Sequence, residues 1–502
     1  MISNIQIHTH NRTIVQIDNF SLEENKITFL LGESGIGKSI LAKAMYGLLD
    51  PDTLEIKINN KDYVTHLHSP EVQELQTNSF FVFQEPSSHL NPLLTIKEQL
   101  NEGSIARAKD EDGILRYLWQ AKDDKVFKQL LELYPKPYRP SGGEKQRILL
   151  AMAFKKIHMY TSGQVEGHNL FVFDEPTGSL DNAYRNTFLK GLLATYIKKP
   201  FTILFITHDY SIISEMTSQY PKLLPHTIFK ELRRSKEQDK INDENAKVLL
   251  HDFSPDAYLN WLTKGTAITT TSPNKTPVLT VKSAFSVFGR ALCLYKDDAH
   301  TTPANLLINK GETVYVKAPS GMGKTTLAKV IMGLYTADSF SMVLDGKELT
   351  EKSPTRIWEK YLWGKKAGMV FQHADESLNL EATVFETFSG LPMPDKLTRY
   401  QLTTKLDELF EGPLSPGFLD KKVAFLSGGQ KQRLNLLRTL ILSPSLIILD
   451  EPLNGLDFSS MKKVIALIEN QRKKGTAFLI ISHNEEIVQT MVEKSSIWYL
   501  GE

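Results

Sequence analysis

The 502-residue sequence predicts an α/β fold built twice in tandem. A Gly-rich loop, Gly32-Glu33-Ser34-Gly35-Ile36-Gly37-Lys38-Ser39, returns as Ala318-Pro319-Ser320-Gly321-Met322-Gly323-Lys324-Thr325, its lysine 286 residues further on (324 − 38). Each loop stands between a β-rich apolar run and a helix-forming run, an order that points backbone N–H groups at an anion from a helix N-terminus. Length agrees, because single hydrophobic cores stop growing at about 250–300 residues.

In chain order, residues 27–31 (ITFLL) read as a strand feeding the first loop, and residues 40–45 as the helix after it. Residues 170–173 (LFVF) are apolar at every position, as expected of a strand buried on both faces of a parallel sheet. The second half repeats this with strand 313–316, helix 326–331 and the buried run 446–449 (LIIL). These readings give a first domain over 1–232, a linker over 233–276 and a second domain over 277–502. The linker expectation rests on mixed charge after Arg233 and on the Ser/Thr/Pro-rich stretch 269–275. The aromatic segment 253–262 between them is expected to pack as a short helix.

Bulk composition excludes several function classes. A formal net charge of +1 offers no electrostatic case for a nucleic-acid partner or for an anionic membrane surface. Cys293 is the only cysteine, so no intramolecular disulfide or cysteine-rich metal site can form, which suits a reducing compartment. Residues 1–8 lack the basic start and apolar run of a signal peptide. The longest apolar tracts, near 201–206 and 446–449, fall far short of the roughly 20 residues a membrane helix needs. Membrane contact is therefore expected only through partners.

The motifs carry phosphate chemistry. Lys38 and Lys324 would neutralise the outer phosphates, while Ser39 and Thr325 would ligate Mg²⁺. Gly32, Ser34, Gly35, Gly37 and Ile40 in the first loop, with Ser320, Gly321, Gly323 and Thr326 in the second, complete the nucleotide-binding set. An acidic pair ends a buried strand in each half. Asp174 and Asp450 would hold the metal, and Glu175 and Glu451 would polarise the attacking water as general bases. His208 and His483 follow the next strand, where each would contact the γ-phosphate. Ser141-Gly142-Gly143 and Ser427-Gly428-Gly429-Gln430 each open a helix as a second anion cradle, 103 residues after the lysine in both halves (141 − 38 and 427 − 324). One half needs only one cradle for its own phosphates, so this second cradle serves the opposite half's nucleotide.

Taken together, the set resembles an ABC-type ATPase with two fused nucleotide-binding domains. That resemblance implies two P-loop domains, each with a mainly parallel sheet core, an α-helical subdomain and an antiparallel β subdomain. It also implies two ATP molecules sandwiched head to tail between the Walker A loop of one half and the signature of the other. Gln84 and Gln372 become the Q-loop glutamines, near the metal and the attacking water. Ser179-Leu180-Asp181 and Gly455-Leu456-Asp457 become the D-loops. Phe83-Gln84-Glu85-Pro86 with Leu90-Asn91-Pro92 is similar to the matching stretch of oligopeptide, dipeptide and nickel importer ATPases, and Phe371-Gln372 with Leu378-Asn379 is a looser copy. Tyr134-Pro135 and Ala151-Met152-Ala153 fit the same group. The implied protein is an ATP-hydrolysing importer subunit at the inner face of the cell membrane, using ATP and Mg²⁺. Its implied partners are two membrane-spanning permeases and, through them, a solute-binding protein. Two rival readings are a soluble twin ATPase acting on ribosomes or RNA, and one assisting assembly of an enzyme complex.

Head-to-tail pairing distributes the departures unequally. The site joining loop 32–39 to signature 426–430 fits the pattern throughout. The site joining loop 318–325 to signature 140–144 carries Ala318 for glycine, and Pro140 and Glu144 for leucine and glutamine. A weaker second site is expected. For the aromatic that stacks on adenine, His8, His10 and Phe20 remain open in the first half, as do Phe285, Phe288 and Tyr295 in the second.

Overall fold

The computed structural model describes residues 2–9, 12–101, 109–120, 125, 128, 131, 140–176, 182–234, 248–264, 276–319, 321–393, 396–410, 414 and 416–502. Ser320, His10, the first D-loop (179–181) and Tyr134-Pro135 lie outside them.

Each half is built on a central sheet whose middle strands run parallel. In the first half the order is Val248–Asp252, Thr227–Arg234, Ile27–Gly32, Ile203–Ile206, Phe171–Asp174, Phe81–Val82. All neighbours are parallel except the first pair. The second half has Ala284–Val287, Arg290–Tyr295, Ile497–Gly501, Thr313–Lys317, Ala477–Ile481, Leu446–Asp450, Ala367–Val370, antiparallel only at the first two pairings. The all-apolar runs are buried along their whole length, as double-sided burial requires. A separate four-stranded antiparallel sheet flanks each core, and the long helices Gly142–Thr161 and Gly428–Ile441 follow the two signatures.

The halves differ at one sheet edge. In the second, the strand beside Ile497–Gly501 comes from a hairpin that precedes the phosphate loop. In the first half Ile2–Thr9 pairs antiparallel with Arg12–Ser21 in the flanking sheet, and Val248–Asp252 takes the corresponding edge from the other end of the domain. The expected linker therefore needs correction. The strand Thr227–Arg234 runs past residue 232 and Val248–Asp252 belongs to the first sheet, while the short helix expected at 253–262 is present as Pro255–Lys264. Val248, Leu249 and Leu250 give this strand an apolar start that a composition average over the polar neighbourhood conceals.

That helix also joins the halves. Tyr258 and Phe253 pack with Tyr210 of the first half and Phe458 of the second, in an aromatic cluster with ring centroids 5.5–6.1 Å apart. Trp261 meets Phe458 edge-on at 5.3 Å. The Tyr258 hydroxyl donates to Glu486 at 3.1 Å, and the Phe458 N–H donates to the Tyr210 oxygen at 3.1 Å. One hydrophobic core consequently runs across both halves.

Candidate functional site: two composite nucleotide sites

Both phosphate loops fold alike. The Lys38 ammonium donates to the carbonyls of Gly32 (2.7 Å) and Glu33 (2.9 Å), and Lys324 donates to those of Ala318 (2.6 Å) and Pro319 (3.1 Å). Gly37 and Gly323 cap the following helices Lys38–Tyr46 and Lys324–Ile331 in the left-handed region. Gly32 holds φ at 139°, and a Cβ there would meet the Leu232 carbonyl at 2.7 Å. Ala318 lies outside the positive-φ region, so its methyl carries no such strain.

The acidic pairs come up beside the loops. The Ser39 hydroxyl donates to Asp174 at 2.9 Å. Burial raises Asp174 to about 6, against the help of Ser39. Burial raises Asp450 as well, with the Thr325 hydroxyl and the lysines Lys329 and Lys324 opposing it. Neither oxygen of Asp450 has a partner at hydrogen-bonding geometry among the described residues. Asp450, a buried carboxylate short of partners, and Asp174 beside the Ser39 hydroxyl are oxygen donors that a hard cation such as Mg²⁺ fits.

The neighbouring glutamates share a left-handed backbone, φ 45° at Glu175 and 52° at Glu451, each pinned by its N–H on the adjacent strand. Their side chains differ. Glu175 accepts from Gln84 at 2.8 Å and meets the His208 Nδ1 at 3.0 Å. Burial alone would raise it, but His208 and then Lys38 bring it below the ordinary carboxylate range. His208 is raised in turn: burial opposes its charge and Glu175 outweighs burial. Glu451 accepts instead from the Ser482 hydroxyl (2.9 Å) and the His483 N–H (2.7 Å), with the His483 ring at 3.6 Å. Burial pushes Glu451 up to about 7, and burial followed by Lys324 lowers His483. Gln372 makes no hydrogen bond to Glu451 among the described residues.

Both signatures start helices with a capping box. The Ser427 hydroxyl accepts from the Gln430 N–H, and the Gln430 side chain accepts from the Ser427 N–H. In the other half, Glu144 replaces that glutamine, and its carboxylate accepts from both the N–H and the hydroxyl of Ser141 at 2.8 Å. A negative charge thus sits inside the Ser141-Gly142-Gly143 cradle.

The first loop and the second signature are assembled across the halves. The Ser34 N–H donates to the Gly455 carbonyl at 2.8 Å, and a Cβ on Gly35 would stand 3.8 Å from that of Ser427. Glu33 forms a buried ion pair with Arg433 at 2.8 Å. Sequence spacing concealed this pair, as it concealed Ser482 and the Tyr258–Glu486 contact. At the other composite site, a Cβ on Gly321 or Gly142 would meet nothing within 4 Å among the described residues. No hydrogen bond or ion pair joins 318–326 to 140–147 among the described residues.

Of the adenine candidates, Phe20 and Phe285 are buried core residues, 0% and 4% exposed. Phe288 is exposed at the hairpin turn against Tyr335, and Tyr295 stacks on His300. His8 stays partly exposed on the edge of the antiparallel sheet.

A strand–loop–helix phosphate cradle, a buried acidic pair and a facing signature turn define a nucleotide-hydrolysing P-loop ATPase. Residues 15–178 and 301–454 match the ABC transporter family model, and the chain belongs to that family. It is an ATPase whose two domains bind nucleotide. Among curated proteins it is 26% identical to the uncharacterized ABC transporter ATP-binding protein YejF of Escherichia coli (strain K12), covering 98% of this chain and 91% of that one. It is 26% identical to the peptidoglycan transport ATP-binding protein YejF of Agrobacterium fabrum, covering 97% and 88%. It is 23% identical to the glutathione import ATP-binding protein GsiA of Escherichia coli (strain K12), covering 96% and 81%. Among solved structures, an RNase-L Inhibitor superposes with a TM-score of 0.59 at 17% identity, covering 99% of this chain and 89% of that one. That last likeness concerns the fold alone.

Proposed function

We propose that the chain is the energy-coupling subunit of an ABC importer for peptides or nickel-type solutes, working at the inner face of the cell membrane with two permeases and, through them, a solute-binding protein. Collinear similarity over 96–97% of the chain to ATP-binding proteins named for import of glutathione or transport of peptidoglycan carries this reading. No helix among the described residues is long and apolar enough to cross a membrane, and the reading assigns the spanning part to separate permease subunits. A cleft of about 510 Å³ supports partner docking. It opens beside the first Q-loop and is lined by Tyr46, Phe80, Phe83, His89 and Met159.

In this reading, Lys38 and Lys324 turn from their loop carbonyls to the phosphates, and loop N–H groups cradle them. Ser39, Asp174 and Gln84, with Thr325, Asp450 and Gln372, hold Mg²⁺, which supplies charge neutralisation on the phosphates. Glu175 and Glu451 accept a proton from the attacking water, and His208 and His483 hold the γ-phosphate. The signatures 141–143 and 427–430 complete the opposite half's site, so binding closes the halves and hydrolysis lets them part.

Gentle purification from native cells in mild detergent, followed by mass spectrometry, tests the proposal. Two multi-span membrane proteins are the expected companions. Ribosomal proteins or a soluble enzyme complex in their place would overturn the importer reading and leave the ATPase standing.

A further inference from the structure

Glu33 and Arg433 lie 400 residues apart in sequence and 2.8 Å apart in space. Both are withdrawn from water, with side-chain exposures of 9% and 5%. Arg433 also donates to the Ser460 hydroxyl at 2.6 Å and lies 4.7 Å over the Phe410 ring. The Glu33 carboxylate stands 3.5 Å from the Ser427 hydroxyl, and a Cβ on Gly429 would meet it at 2.2 Å. It therefore rests on the turn that starts the helix Gly428–Ile441. The repeat offset shows that the pair exists once only. Pro319 occupies the position of Glu33 in the second loop, and Arg147, the counterpart of Arg433, is spent on the rings of Trp119 (4.9 Å) and Tyr184 (4.3 Å).

A buried, hydrogen-bonded charge pair across an interface acts chiefly on how fast that interface opens, because removing one partner strands the other charge away from water. We infer that Glu33 and Arg433 form a one-sided latch that holds the first phosphate loop against the second signature. The first composite site then exchanges nucleotide slowly, while the second, with no such pair, opens in each cycle. Both are positioning residues: they fix where the loop 32–39 stands relative to Ser427 and leave the reacting atoms to other groups. The inference rests on reading both loops as ATP sites.

The test loads the full chain with a fluorescent N-methylanthraniloyl ATP and chases it with excess unlabelled ATP. The natural chain is expected to bind two nucleotides and release them in a fast and a slow phase. Glu33→Pro, which copies the second loop, and Arg433→Gln should each speed the slow phase on the order of 30-fold and leave the fast phase unchanged. The charge swap of Glu33→Arg with Arg433→Glu should restore the slow phase, which repair of packing alone would not do. If Arg433→Gln misfolds, Glu33→Pro decides, since Pro319 shows that the loop accepts proline there. Two nucleotides released in one phase, or a slow phase unchanged in Glu33→Pro, would overturn the latch. Fewer than two nucleotides bound would instead overturn the reading of the sites, and the latch with it.

Discussion

At the residue scale, the two glutamates show how one backbone trick yields two electrostatic outcomes. A non-glycine residue at positive φ costs about 1–3 kcal/mol and persists only where its surroundings hold it. Strand hydrogen bonds from Glu175 to Ile206 and from Glu451 to Ile481 supply that hold. His208 keeps Glu175 ionised, whereas Glu451 has only neutral donors and rises to about 7. Removing a general base lowers the rate at its own site by about 10²–10⁴. The first hydrolytic turnover, which slow exchange at the first site does not limit, should therefore fall in both Glu175→Gln and Glu451→Gln, with the larger part of the burst lost in Glu175→Gln. Equal losses would refute the asymmetry. Glu144 gives a second handle. Its carboxylate suits a helix N-terminus but repels a phosphate at the Ser141 cradle, and unit charges about 4 Å apart interact by about 1–4 kcal/mol. Glu144→Gln should tighten ATP binding at the second composite site by about tenfold, read by titration in a Lys38→Ala background that silences the first. Unchanged affinity would place Glu144 in capping alone.

At the element scale, the helix Pro255–Lys264 and the strand Val248–Asp252 turn supposed linker into joint. Phe458, 4% exposed, touches Tyr210, Phe253, Tyr258 and Trp261 and so belongs to neither half alone. Truncating a buried Phe costs about 3–5 kcal/mol. Phe458→Ala should lower the melting temperature and split a single calorimetric transition into two, one for each half. A single transition at an unchanged temperature would mean the cluster contributes no coupling. The same elements mark how far the sequence was legible. The phosphate loops, acidic pairs and signature turns were readable because each motif is local, and its residue types have one chemical use at that spacing. Residues 170–173 and 446–449 announced buried strands through unbroken apolarity. The exchange of edge strands was hidden, because a five-residue run states its hydrophobicity but not which sheet it will complete. Glu33 and Arg433 were hidden for a related reason: a charged residue in a loop and another in a helix each have an ordinary solvated reading until the fold brings them together.

At the whole-molecule scale, described contacts join the halves at the first composite site, and the single cysteine makes a comparison with the second measurable. With Cys293 replaced by alanine, Ser34→Cys and Gly428→Cys would face each other across the first site, where the Ser34 Oγ lies 4.0 Å from the place a Cβ on Gly428 would take. Side chains at that separation reach disulfide geometry with small adjustment. The repeat-related pair, Ser320→Cys with Gly142→Cys, probes the second site, where a Cβ on Gly142 would meet no described residue within 4 Å. Under mild oxidation without nucleotide, the first pair should cross-link rapidly, seen as a mobility shift on non-reducing gels. The second should cross-link only when ATP and Mg²⁺ draw the halves together. If both pairs respond alike, with or without ATP, the halves open as a symmetric clamp. The contacts of Glu33, Ser34 and Gly455 would then describe a resting pose rather than a working asymmetry.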